Sequence, residues 1–257
     1  MRGRSSLIAA VVAVLVATAA PAAAGPRIVG GGVATGDYPW IVAIYDGGGV
    51  HYCGGSLFRA RWVITAAHCV DTPEPTGGPG DMKLRVGSKD LRRGGVTVGW
   101  ERAIRHPRYD GDKYVHDIAL IKLARPVAER RSVDLAPNRD WDGEVLTLLG
   151  WGQTCPAYQC DRGSRVLKAL EARALSPGAC HSRATGFEPD TELCLDSTPQ
   201  ATACYGDSGG PALWRGDGTW RLVGVTTHGS ESCGDEDTIH TKVPAYRNWL
   251  NATTEGH

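Results

Sequence analysis

The sequence predicts an all-β protein, a sandwich or barrel built from many short strands. Three observations carry that reading. The 34 glycines and 15 prolines are scattered along the 257 residues instead of gathering in linkers. Short apolar runs alternate with turn signals along most of the chain. No repeat of fixed period organises it.

Taken in order, the chain begins with a segment that precedes any strand. Arg2 and Arg4 form a basic start, Leu7 to Ala20 is apolar, and Ala22-Ala23-Ala24 fits an A-x-A cleavage site. That is the make-up of a secretory signal, 1–24, and the apolar run is short for a membrane span. The expectation is a secreted, extracellular, soluble protein. Early strands are read at Trp40–Tyr45, Gly55–Phe58 and Trp62–Thr65, then at Leu84–Val86, Val96–Val98 and Ala119–Leu123. A second set follows at Val145–Leu149, Arg165–Ala169, Pro211–Trp214 and Trp220–Val225. Ala124 to Gly143, polar and with two prolines, reads as the linker between the sets. Tyr246, Trp249 and Leu250 have the i, i+3, i+4 spacing of a helix.

Composition excludes some functions. Lys plus Arg equals Asp plus Glu at 28 each, which points to neither nucleic acid nor a membrane surface. Without residues 1–27 the formal charge is −3, a value that argues only for solubility. Eight cysteines in an exported chain imply four disulfides, although spacing leaves about 105 pairings open. No cysteine and histidine pairs have zinc-finger spacing.

The chemistry centres on Cys204-Tyr205-Gly206-Asp207-Ser208-Gly209-Gly210-Pro211. Glycine permits backbone conformations barred to other residues, and such a loop can aim successive N–H groups at developing negative charge. A serine there is a nucleophile only with a base beside it. Upstream stand Thr65-Ala66-Ala67-His68-Cys69 and His116-Asp117-Ile118-Ala119-Leu120, giving the order His68, Asp117, Ser208. These three motifs resemble those of the chymotrypsin/trypsin family of serine proteases, from Ile28 to about Leu250.

The resemblance implies two six-stranded antiparallel Greek-key barrels, with the site in the cleft between them and a short helix closing the chain. The expected halves are 28–130, carrying His68 and Asp117, and 131–257, carrying Ser208. Ser208 would attack the carbonyl carbon, and His68 would carry the proton, since an imidazole titrates near neutrality. Asp117 would orient the imidazole, and the N–H groups of Gly206 and Ser208 would form the oxyanion hole. It further implies a zymogen with propeptide 25–27, cut after Arg27 so that the Ile28 ammonium pairs with Asp207. By position in the family, Cys53–Cys69, Cys180–Cys194 and Cys204–Cys233 are expected bridges. Cys155 and Cys160 are left to each other, a departure from the common pattern.

The resemblance also locates substrate-binding positions. Thr227, His228 and Gly229 would form the strand that holds an extended substrate, with His228 in place of a large indole. Thr202, followed by Ala203, stands six residues before Ser208, where trypsin-like relatives carry an aspartate. Tyr205 lies at the same loop. Gly229 leaves one wall of the pocket open and Thr238 narrows the other. The expectation is cleavage after an uncharged residue. An acid from Asp235-Glu236-Asp237 entering the pocket would instead restore cleavage after Arg or Lys. His51, His106, His116, His181 and His240 are read as surface or loop residues. No cofactor or metal is expected, since Ser88 to Arg93 is mainly basic where relatives bind calcium. Asn251-Ala252-Thr253 is a glycosylation sequon only in a host that uses it.

Expected partners are protein or peptide substrates, an activating protease and a protein protease inhibitor, with the enzyme a monomer. A different class of function, a protease-fold binding protein without catalysis, would ordinarily lack a triad residue. An enzyme confined to one partner by the His228 strand and the Cys155–Cys160 loop is the third possibility.

Overall fold

The computed structural model describes residues 28–71, 82–182, 187–216 and 218–256. The expected secretory signal, 1–24, and the expected propeptide, 25–27 with Arg27, lie outside the described residues. The chain enters through a two-residue strand, β1 (Gly32–Val33). Then come β2 (Ile41–Tyr45), β3 (His51–Arg59), β4 (Trp62–Thr65), β5 (Lys83–Val86), β6 (Val96–Arg105) and β7 (Ala119–Leu123). These six close into an antiparallel barrel in the order β2-β3-β4-β7-β6-β5.

After the short β8 (Asp134–Leu135) follow β9 (Val145–Gly150), β10 (Lys168–Leu175), β11 (Glu192–Leu195), β12 (Pro211–Trp214), β13 (Arg221–His228) and β14 (Thr238–Lys242). They close as β9-β10-β11-β14-β13-β12, again antiparallel. Both barrels therefore use one Greek-key order, in which the last strand of each set lies beside its third. The all-β, two-barrel fold with one short helix, α1 (Arg247–Glu255), is the fold expected from the sequence.

The strands β2, β4 and β7 are apolar along almost their whole length and buried on both faces. One face fills the barrel and the other is covered by neighbouring elements, so the inward–outward alternation of a half-exposed strand is missing. Each terminus crosses to the opposite half. At the start, β1 pairs with β10 and Val29 pairs with Thr202. At the end, Leu250 of α1 is fully buried in the core shared with the first barrel, and Arg59 donates to Asn251 Oδ1 at 3.0 Å.

Some strand expectations shift for identifiable reasons. The strand expected at Arg165–Ala169 begins at Lys168, because Arg165 and Leu167 bond instead to the segment Lys89–Leu91 of the first half. The strand seen as Val96–Val98 runs on to Arg105 through a bulge between Trp100 and Arg102. The strands β11 and β14 have no counterpart in the sequence reading, since β14 is the polar run Thr-Ile-His-Thr-Lys. Four disulfides join Cys53 to Cys69, Cys155 to Cys160, Cys180 to Cys194 and Cys204 to Cys233. Among the described residues no helix is long and apolar enough to cross a membrane.

Candidate active site

His68 opens a single 3₁₀ turn immediately after β4, and Asp117 lies two residues before β7. Because β4 and β7 are paired neighbours, with Thr65 opposite Ala119, both side chains emerge at the same end of the first barrel. His68 Nδ1 stands 2.6 Å from Asp117 Oδ2, and the His68 backbone N–H donates to Oδ1 at 2.8 Å. Asp117 is fully buried, so its two oxygens are committed to one residue. A carboxylate accepting from Nδ1–H leaves Nε2 as the nitrogen free to accept a proton. The second barrel braces this pair, since Thr241 Oγ1 donates to the Asp117 carbonyl oxygen at 2.8 Å.

Ser208 sits in a tight loop ahead of β12. Asp207 N–H donates to the Cys204 carbonyl at 2.9 Å, Gly210 N–H to that of Asp207 at 2.9 Å, and Gly209 N–H to that of Thr226 at 2.8 Å. Gly206 (φ +92°) and Gly209 (φ +76°) hold left-handed conformations that the turn requires. A side chain on Gly209 would also collide with Thr65 and the Gly54 carbonyl of the first barrel. Gly54 in turn donates to the Ser208 carbonyl at 2.7 Å, which ties the loop across the interface. Among the described residues, the N–H groups of Gly206 and Ser208 meet no protein acceptor, and both residues line the cleft.

Asp207 points away from the cleft and is 2% exposed. Its carboxylate accepts from the N–H of Gly152 at 2.8 Å and of Cys204 at 3.0 Å. Burial pushes its pKa up to about 7, and these two bonds only partly oppose the shift. Side chains at Gly150 or Gly152 would strike the carboxylate, so those glycines make room for it. Ile28 and Val29 are buried, and the Thr202 N–H donates to the Val29 carbonyl at 3.0 Å. Ile28 has φ +42°, a rare conformation for a β-branched residue.

A cleft of about 630 Å³ brings together His68, Ser208 and Gly206 with Tyr205, Thr227 and His228. Ala203, Gly229 and Thr238 line its inner pocket. A Cβ placed on Gly229 would stand 3.1 Å from Thr238 Cγ2, so these residues face each other. Thr202 is not on the cleft wall: it is 1% exposed, with Oγ1 on the Ala203 carbonyl at 2.9 Å and on Ser197 Oγ at 3.2 Å. Asp237 is turned away, accepting from the N–H groups of His181 at 2.7 Å and Ser197 at 3.1 Å. Asp235 and Glu236 line an adjoining groove with Tyr158, and that groove shares Ser230 and Glu231 with the cleft.

One residue that lines the cleft, Tyr114, was not singled out in the sequence. Tyr114, at φ +56°, packs its ring edge on His68 (5.7 Å between centroids) and tilts against His228 (5.5 Å). Its only sequence signal is its place three residues before Asp117. The reading of His240 as a surface or loop residue is corrected, since it is fully buried in β14. His106 is a loop residue just past β6, but it is buried, packed against Tyr246 and Trp249. His51 lies in β3, and His116 bonds through Nδ1 to Tyr246 Oη at 2.8 Å.

Comparison with known proteins gives one answer. The family model described as Trypsin matches residues 28–250. A trypsin of Phaedon cochleariae is 34% identical over 85% of this chain and 84% of that protein. Kallikrein-7 of Homo sapiens is 31% identical over 93% of this chain and 92% of its own length. Vitamin K-dependent protein C of Mus musculus is 31% identical over 88% of this chain, which spans 52% of that protein.

Proposed function

The chain belongs to the trypsin family of serine endopeptidases, and from that premise we propose that it is a secreted zymogen whose Ser208–His68–Asp117 triad cleaves peptide bonds after uncharged residues. The observation that carries the catalytic part is the 2.6 Å contact from His68 Nδ1 to a fully buried Asp117, in the cleft that also holds Ser208.

In this mechanism an extended substrate lies along β13 at Thr227 and Gly229. His68 Nε2 takes the Ser208 hydroxyl proton as Oγ attacks the scissile carbonyl. The resulting oxyanion is met by the N–H groups of Gly206 and Ser208, donors that the fold leaves available. Asp117 holds the tautomer and stabilises the imidazolium. The proton then passes to the leaving amine, and water repeats the sequence to release the acyl group.

Activation is proposed at Arg27. Asp207 is a buried carboxylate whose described partners are backbone N–H groups, and an ammonium freed at Ile28 would supply a cation. Cleavage also removes the preceding carbonyl that makes the Ile28 φ unfavourable. Residues 1–24 would be the secretory signal, 25–27 the propeptide, and 28–130 and 131–257 the two halves. A protease acting after Arg27 would activate a monomer, and a protein inhibitor would bind the same cleft.

Support for an uncharged preference comes from Thr238 facing Gly229 and from the orientation of Asp237, whose carboxylate is held by two N–H groups. A cationic side chain in such a pocket gains no carboxylate from Thr202, Thr238 or Asp237, and Glu231, which also lines the cleft, is exposed to solvent. The test is a peptide library randomised before the scissile bond, cleaved by protein processed at Arg27, with Ser208→Ala as the blank. Cleavage after uncharged residues is expected. Cleavage after Arg or Lys would overturn the pocket reading, and no cleavage above the blank would favour a binding protein.

A further inference from the structure

Behind the inner pocket lies a buried polar group with no role in the triad. His240 is fully buried in β14, its Nδ1 has no hydrogen-bond partner among the described residues, and its Nε2 lies 3.0 Å from Thr238 Oγ1. The same Thr238 oxygen is 3.3 Å from Ser197 Oγ, which is 3.2 Å from Thr202 Oγ1. A buried histidine with an unpaired ring nitrogen costs stability, because the desolvated nitrogen is not compensated by a hydrogen bond.

The geometry of Thr238 shows what that histidine can do. Thr238 has two branches at Cβ. Its hydroxyl is held from behind by His240 and Ser197, and its methyl faces Gly229, 3.1 Å from where a Cβ there would stand. A threonine side chain has few χ1 states, and exchanging two of them swaps the positions of hydroxyl and methyl. Anchoring the hydroxyl therefore fixes the methyl in the pocket.

We infer that His240 is a specificity-determining positioning residue: its hydrogen bond locks Thr238 with the methyl across the pocket, limiting the enzyme to small side chains before the scissile bond. This deepens the proposed function and rests on its reading of Gly229 and Thr238 as pocket walls. His240 does not touch the substrate, so it acts through Thr238 alone. Thr202 lies on the far side of the same hydroxyl chain, out of reach of a substrate that stops at the methyl.

The experiment compares kcat/KM on matched peptides with Ala or Phe before the scissile bond, per active site titrated with a fluorophosphonate. Thr238→Ser keeps the hydroxyl and removes the methyl, and the Ala-over-Phe ratio is expected to fall about 10- to 100-fold, the range for one methyl in an apolar pocket. His240→Leu removes the shorter of the two hydrogen bonds on the Thr238 hydroxyl and leaves the longer one from Ser197, and the ratio is expected to fall about 10-fold, whereas His240→Gln, which keeps a distal polar atom, should restore most of it.

The outcomes separate the two layers. A ratio unmoved by Thr238→Ser would remove the pocket reading, and this inference with it. A ratio that moves with Thr238→Ser but not with His240→Leu would overturn the inference alone. Equal losses on both peptides in His240→Leu, or identical behaviour of the Leu and Gln variants, would show a merely structural histidine and would also overturn it.

Discussion

The two barrels share a strand order, yet each buries a carboxylate beside the cleft in a different way. In the first, Asp117 is fully buried and meets both the Nδ1 and the backbone N–H of His68. In the second, Asp207 is as deeply buried but meets two backbone N–H groups, and burial holds its pKa near 7. The first barrel thus presents a completed pair. The second presents a loop with an electrostatic deficit that a nearby cation would relieve. One topology yields a finished half-site and a conditional one, which is the physical basis for control by cleavage in the proposed function.

The sharpest way to break this comparison is to neutralise each acid in turn. Asp117→Asn keeps the shape but turns an acceptor toward Nδ1 into a group that can select the wrong tautomer. Activity of the processed enzyme is expected to fall by about 10⁴-fold, the scale known for serine proteases as a class. Steady-state kinetics on a peptide ester would check it, and a loss below tenfold would remove Asp117 from the mechanism.

Next in size is the effect of leaving the junction intact. Arg27→Gln is expected to leave the protein folded and at least 10²-fold less active, since the Ser208 loop would lack its cation. Full activity with residue 28 still joined to residue 27, shown by mass spectrometry, would refute the conditional half-site.

The pH dependence of stability tests the same deficit without catalysis. The folded pKa of Asp207, about 7, lies above its ordinary value of 3.8, so between these values the folded chain binds a proton that the unfolded chain has released. The Asp207 contribution to stability in the unprocessed protein should therefore fall as pH rises from about 4 to 7, by up to about 4 kcal/mol. Glu192, also raised to about 7 by burial, adds a decline in the same window, and His51 and His106, lowered to about 4 by burial, oppose it, so the Asp207 share is the difference between the parent and Asp207→Asn profiles. Urea titrations of both unprocessed proteins across this window would decide, processing at Arg27 should shrink the difference, and coincident profiles would mean that the carboxylate has another partner.

How much of this was visible in the sequence follows from the same physics. The strands β2, β4 and β7 were legible because full burial makes them continuous apolar runs. The motifs around His68, Asp117 and Ser208 were legible because their chemistry needs those residues locally. The strand β14 was not, since buried Thr238, His240 and Thr241 read as a loop until cross-strand partners are known. The contact of Tyr114 with His68 and His228 depends on a left-handed loop residue, which a sequence does not announce at a tyrosine. Local chemistry was readable, while partnership across the barrel was not.

The smallest expected effect concerns how firmly each half-site is fastened. One bridge, Cys53–Cys69, adjoins His68, whereas the second half has three, two of them at the Ser208 side of the cleft. Cys204–Cys233 has a sequence separation of 29 and Cys155–Cys160 only 5. Loop-closure entropy then assigns about 3.5 kcal/mol to the longer bridge and about 2 kcal/mol to the shorter. Pro156, inside the short loop, accepts from the Cys233 N–H at 2.9 Å, so the small bridge braces the larger one at the cleft rim. Replacing Cys155 and Cys160 together by alanine should therefore lower stability by about 2 kcal/mol and leave kcat within about twofold, read by thermal unfolding and kinetics on one sample. A loss of activity larger than the loss of stability explains would mean that this loop takes part in substrate binding, and the second half-site would then extend beyond the Ser208 loop.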